Sequence, residues 1–129
     1  MRELHRTAHF LLVEDPIARI VTRTRTAERF ASLDQVTSEY DALVHAFERV
    51  DRSVFAQLVD LRQAPARNDD AFEAIVTGYQ PALYDRFRRV AVVVATAAGR
   101  LQLRRFLTES RPDAGLYTDL DEATAYLRA

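Results

Sequence analysis

"VAVVVA", residues Val90–Ala95, is apolar throughout. A strand with one face in water alternates apolar and polar side chains. A run without polar members belongs to a strand covered on both faces, as in a parallel sheet sheathed by helices. This reading decides the fold, because parallel strands are joined by crossovers rather than tight turns.

Downstream of this strand, "GRLQLRRFLTES" (Gly99–Ser110) reads as a helix. Leu116 and Tyr117 form a short last strand. Asp119 and Glu122 have the spacing of a capping box, and Leu120, Ala123 and Leu127 face inward on a closing helix. Upstream, Phe55–Leu61 is a second apolar strand. Asp70 and Glu73 repeat the capping-box spacing, and Phe72, Ile75, Val76 and Tyr79 supply a helical stripe. Gly78 and Pro81 interrupt that helix, and Gln80 is pushed from α geometry by the proline after it. The expectation is a kink, or a break with Pro81 opening a second short helix.

The clearest helix is "SLDQVTSEYDALVHAFERV" (Ser32–Val50). Ser32 and Gln35 form its capping box, and Leu33, Val36, Leu43, Val44 and Phe47 repeat with helical period. Before it, "HFLLVEDPIARIVTRTRT" (His9–Thr26) reads as a hairpin, with Phe10–Val13 and the β-branched Ile17–Thr24 flanking an Asp15-Pro16 turn. Arg19, Arg23 and Arg25 fall on one face of its second strand. They read as charge protecting an edge strand or, less simply, as a partner surface.

The resulting order is β-β-α-β-α-β-α-β-α: a single α/β domain, 1–129, with a mostly parallel sheet, an N-terminal β-hairpin and helices packed on it. A chain of 129 residues buries roughly two-thirds of its unfolded surface and needs no metal or disulfide to hold it. It has no cysteine, which removes thiolate chemistry and fits a reducing compartment. All 18 basic residues are arginine, against 19 acids, for a net charge of -1. That balance offers no bulk field for nucleic acid or an anionic membrane. Met1–His9 is polar, without the apolar core of a signal peptide, and no apolar run reaches the roughly 18 residues of a membrane span. The expected location is cytoplasmic.

The segments "FAQLVDLRQAP", "RRVAVVVA" and "GLYTDLDEATAYLRA", taken with this order, resemble the STAS domain of sulfate transporters and anti-sigma-factor antagonists, and within it the SpoIIAA-like branch. The resemblance spans nearly the whole chain through patterns of apolar and small residues. It implies a non-catalytic regulatory module that binds protein partners. In the antagonists a Ser or Thr in the turn after the central strand is phosphorylated, and the added charge switches partner binding. The corresponding turn here, "DLRQAPARNDDAF", has no Ser, Thr, Tyr or Gly, so no phosphorylation is expected there.

Ligands of open α/β sheets sit beyond the carboxyl ends of the strands. Three turns compete for that role. In the first, Asp60 could serve as an acid or base with Arg62 and Arg67 as anion clamps. Asp69 and Asp70 at the helix start would repel a phosphate, and capping explains them better. In the second, "ATAAGR", Ala95, Ala97, Ala98 and Gly99 leave room for close backbone approach, Thr96 could cap the helix or donate to a ligand, and Arg100 and Arg104 stand one helical turn apart. That turn could hold an anion, although its small residues equally let the helix pack close to the sheet. The third turn, with Asp119, Asp121 and Glu122, reads as capping.

His5 and His9 have metal-ligand spacing only on a helix, and they lie in a terminus leading into a strand, so no metal is expected. His45 reads as structural, and Ser32, Ser38, Ser53 and Ser110 occupy capping, helical or loop positions. Tyr79, Tyr84 and Phe87 flank the Gly78–Pro81 interruption. They either cover the sheet or form an aromatic patch for self-association or a ligand. The leading expectation is therefore a cytoplasmic interaction module whose partner is a second copy, in a homodimer, or another regulatory protein, with no cofactor. The alternatives are a carrier or sensor of a small apolar or anionic ligand, using Tyr79, Tyr84, Thr96, Gly99, Arg100 and Arg104, and a small enzyme using Asp60 and Arg62.

Overall fold

The computed structural model describes residues 1–67, 69–108 and 110–129. Asn68, in the first βα turn, and Glu109, in the expected third helix, lie outside the described residues.

The fold is α/β, with a mixed sheet in the order β1-β2-β3-β4-β5-β6. Its strands are β1 (Arg2–Arg6), β2 (Phe10–Asp15), β3 (Ile20–Arg25), β4 (Ala56–Asp60), β5 (Val90–Val93) and β6 (Gly115–Tyr117). The helices are α1 (Leu33–Phe47), α2 (Asp70–Tyr84), α3 (Ala97–Leu107) and α4 (Leu120–Arg128). The β1–β2 and β2–β3 pairs are antiparallel, and β3 through β6 are parallel. As its composition requires, β5 is buried at every position, between β4 and β6.

Each parallel connection moves one strand further in the same direction. Right-handed crossovers then place successive helices on one face. Val36 and Leu43 of α1, Leu83 of α2 and Leu107 of α3 accordingly share one core with Leu12, Val21, Val59 and Val92 of the sheet. Ala123 and Leu127 of α4 close the other face over Leu58, Ala91 and Val93.

The N-terminus departs from the expectation of a polar lead-in: it is a strand, β1. Only Leu4 in it is buried, so periodicity carried little signal. Backbone pairing to β2 holds it, supported by an Arg2–Glu14 ion pair at 3.0 Å. Pairing to β2 on one side and to β4 on the other makes β3 an interior strand. The helices packed on its Val21 face bury Arg23 and Arg25, at 4% and 7% exposure, and the edge-protection reading is corrected. Arg19 leaves the stripe altogether. It sits in the turn with φ 57, its N–H donating to the Asp15 carbonyl at 2.8 Å. The Asp15 carboxylate closes that turn by accepting from the Ile17 and Ala18 amides.

The break expected at Gly78–Pro81 does not occur: α2 runs continuously to Tyr84 with Pro81 inside it. Pro81 and Thr77, whose carbonyl loses its helical donor, are both exposed, so water can take the freed acceptor. On the inner side Leu83 and Tyr84 are buried at 1% and 5% exposure. Burying those side chains outweighs a proline cost of about 3 kcal/mol. Tyr84 and Phe87 therefore cover the sheet. The caps of α1 and α4 are Ser32 and Asp119, as their spacings indicate, and Thr96 caps α3. The cap of α2 is Asp69, one residue before the expected Asp70, and it accepts from the Phe72 amide at 3.2 Å.

Candidate functional site

At the carboxyl ends of β3, β4 and β5 the chain leaves the sheet in three loops. Between them lies a cleft of about 570 Å³. The β3–α1 loop contributes Arg29 and Phe30, the β4–α2 loop Leu61, Pro65 and Arg67, and the end of β5 Val94. Helices supply the walls: Tyr40 from α1, Phe72, Glu73 and Val76 from α2, Gly99, Leu103 and Phe106 from α3. Four aromatic rings thus surround a space opening where α/β sheets present their ligands.

Arg25 forms part of the floor. Side chains alternate across β3, and Arg25 follows Val21 and Arg23 onto the face beneath α1 and α2. Its guanidinium lies 4.4 Å from the Phe30 ring centroid and 5.8 Å from that of Phe10. Its Nη1 donates to the carbonyls of Thr26 and Glu28 at 2.6 and 2.7 Å, which ties down the lip of the cleft. Burial lowers its pKa from the ordinary arginine value, against the opposing influence of Tyr40, Glu39 and Glu28. The ordinary value is so high that the group stays charged. Burial raises the Tyr40 pKa, so the phenol stays protonated.

The lip is further held by His9, which is 3% exposed. Its Nε2 lies 3.1 Å from the Arg29 carbonyl, and its Nδ1 lies 3.4 Å from Glu39 Oε1. Glu39 also accepts from the Thr7 hydroxyl at 2.7 Å. His5 lies apart in β1, where the helical spacing to His9 has no meaning.

Of the residues singled out in the sequence, the cleft gathers Gly99 and, from the first turn, Arg67. Thr96 is exposed and serves as the α3 cap, accepting from the Gly99 amide at 3.0 Å. Arg100 is exposed beyond the lining. Arg104 borders a different, smaller pocket of about 220 Å³, with Thr108 and Arg111. Tyr79 lies behind the wall, stacked on Tyr40 with centroids 5.4 Å apart. Its hydroxyl donates to the Asp41 carboxylate, which pushes its pKa up to about 12. Tyr84 is buried beneath Arg23, whose guanidinium lies 5.4 Å from the ring centroid.

Asp60 and Arg62 form a two-pronged ion pair. Nε donates to Oδ1 at 3.0 Å and Nη2 to Oδ2 at 2.8 Å. That hydrogen bonding holds the Asp60 pKa below its ordinary value. By strand alternation Asp60 shares the face of Leu58, the α4 side, and is turned away from the cleft. Arg67 is likewise paired, to Asp69 at 2.6 Å.

Sequence reading missed Arg25 as a cleft residue because it took β3 for an edge. The available signal was its even spacing from Val21 and Arg23. Phe30 and Phe106 come from segments far apart in the chain, and no local pattern joins them.

Comparison with family models, with curated proteins and with solved structures found no match for the chain. Among the described residues no helix is long and apolar enough to cross a membrane.

Proposed function

We propose that the chain is a non-catalytic binding module of STAS type that holds a small, mainly apolar molecule in the cleft. The observation that carries this reading is the cleft itself. Its volume of about 570 Å³ falls within the range of small-molecule sites, about 300–1,000 Å³. Its walls are aromatic and aliphatic, with a few polar groups at floor and rim, which is the composition such sites use.

The enzyme reading loses its main residue. Asp60 is held ionised by Arg62, so it is a poor proton donor near neutral pH, and both partners are already occupied. A regulatory role, as the STAS resemblance implies, would be exercised through the bound molecule. The turn after β4 carries no hydroxyl to phosphorylate.

The test uses a neutral fluorescent probe, N-phenyl-1-naphthylamine, against the purified protein. Saturable binding is expected, with loss of it in Ala64→Trp, because Ala64 lines the cleft and an indole there would occupy it. No saturable binding, or equal binding in that variant with its Tm unchanged, removes the reading.

A further inference from the structure

Arg25 is 93% buried, as its exposure of 7% states, and is unusually provided for. Among the described residues no carboxylate oxygen lies within 4.0 Å of its guanidinium. Buried charges are ordinarily paired, because desolvation costs several kcal/mol per ion. The nearest acids are committed elsewhere or turned away. Glu39 serves His9 and Thr7, and Glu28 offers Arg25 its backbone carbonyl instead.

The donors divide cleanly. Nη1 is spent on the Thr26 and Glu28 carbonyls. Nε and Nη2 donate to no protein group among the described residues, although Arg25 lines the cleft. The Nε–Nη2 edge is the one that Arg62 presents to Asp60, at 3.0 and 2.8 Å. It matches the two oxygens of a carboxylate. The guanidinium lies over the Phe30 ring, 4.4 Å from its centroid.

We propose that the cleft ligand is a monocarboxylic acid with a compact apolar body, its carboxylate paired side-on with Nε and Nη2 of Arg25 and its body among Phe30, Tyr40, Phe72 and Phe106. This rests on the reading of the cleft as a small-molecule site. One carboxylate supplies the missing counter-charge and satisfies both donors together. Arg29, Arg67 and Glu73 also line the cleft, with Arg67 already paired to Asp69; the aromatic and aliphatic walls favour an acid carrying a single charge over a multiply charged phosphate, whose desolvation costs more.

The experiment compares 4-phenylbutyrate, 4-phenylbutanol and 4-phenylbutylamine, which share one body, by titration calorimetry on the intact protein. The acid should bind at least about tenfold more tightly than the alcohol, about 1.4 kcal/mol. In Arg25→Met, folded by circular dichroism, that preference should fall to about twofold or less. Alcohol binding equal to or tighter than acid binding in the wild-type protein overturns the inference and leaves the cleft reading standing. That arm needs no variant and remains decisive should Arg25→Met not fold. An acid preference persisting in folded Arg25→Met also overturns it. Tightest binding by the amine also overturns it, and assigns the head group to Glu73. If none of the three binds while the naphthylamine probe does, the inference is overturned and the cleft reading stands; if the probe fails as well, both are overturned.

Discussion

The His9 imidazole lies flat on the Phe30 ring, with centroids 4.5 Å apart and planes 10° from parallel. Phe30 is sandwiched further by the Arg25 guanidinium at 4.4 Å. A residue just before β2 and one at the floor of the cleft thus grip the same loop ring. Both His9 nitrogens face oxygens, one from the Arg29 backbone and one from Glu39. At 3.4 Å from Glu39, the buried Nδ1 makes no hydrogen bond among the described residues.

His9→Ala should therefore act on the lip as well as on stability. It deletes a buried ring and its contact to the Arg29 carbonyl, and should cost about 2–3 kcal/mol in urea unfolding. Binding of the naphthylamine probe should weaken alongside, because Arg29 and Phe30 both line the cleft. Full stability in the variant would show that the stack contributes nothing to the fold.

Acid stability should depend on Asp60. Its folded pKa lies below the ordinary 3.8, chiefly through hydrogen bonds from Arg62. A depressed carboxylate contributes stability that is present above the unfolded pKa and lost as pH falls through the folded one. Asp60→Asn should therefore be less stable than wild type at pH 7, with the difference shrinking as pH falls below about 4. Asp15 and Asp69, also shifted downward by backbone or arginine hydrogen bonds, act in the same direction. Thermal unfolding from pH 7 to pH 2 measures this, and a gap independent of pH would refute it.

The parallel half of the sheet was legible because β5 has no polar side chain and β4 is apolar from Ala56 to Val59 apart from Gln57. Gln57 is itself fully buried, its Nε2 donating to the Leu83 carbonyl at 2.8 Å. Helix caps were legible because capping is local. The N-terminal strand was not, since β1 is secured by backbone pairing that leaves little trace in side-chain type. The integrity of α2 was also hidden: local propensity at Gly78 and Pro81 opposed it, and burial of Leu83 and Tyr84 prevailed. The cleft was half visible, its position through the strand ends but not its floor. Whether Arg25 is exposed depends on which strands flank β3.

Two glycines should answer alanine in opposite ways. At Gly78, exposed within α2, an added Cβ meets nothing within 4 Å. Gly78→Ala should stabilise the protein by about 0.5–1 kcal/mol by removing backbone entropy from the unfolded chain. At Gly115 the added Cβ would lie 2.6 Å from Tyr117 Cε2 and 3.1 Å from Tyr126 Cδ2. Those rings lie 5.9 Å apart and must move, so Gly115→Ala should cost about 1–3 kcal/mol. Paired chemical-denaturation curves decide both, and a destabilised Gly78→Ala would show that α2 is strained where the proline enters.

Arg23 tests what buried charge does for this core. It is 4% exposed, and its Nε donates to Gln57 Oε1 at 3.2 Å. Its Nη2, though buried, finds no hydrogen-bond partner among the described residues. No carboxylate among the described residues lies within 4.0 Å of it. An uncompensated guanidinium stabilises poorly, and replacing it with an apolar chain of similar length removes its desolvation, offsetting the loss of one ring contact and of the one hydrogen bond to the buried Gln57 Oε1. Arg23→Met should therefore be as stable as wild type to within about 1 kcal/mol, or more stable. Gln57→Leu should be destabilised by about 1–3 kcal/mol, because it strands both the Leu83 carbonyl and Arg23. If Arg23→Met instead loses more than Gln57→Leu, the guanidinium is anchoring the β3–β4–α2 junction despite its missing partner.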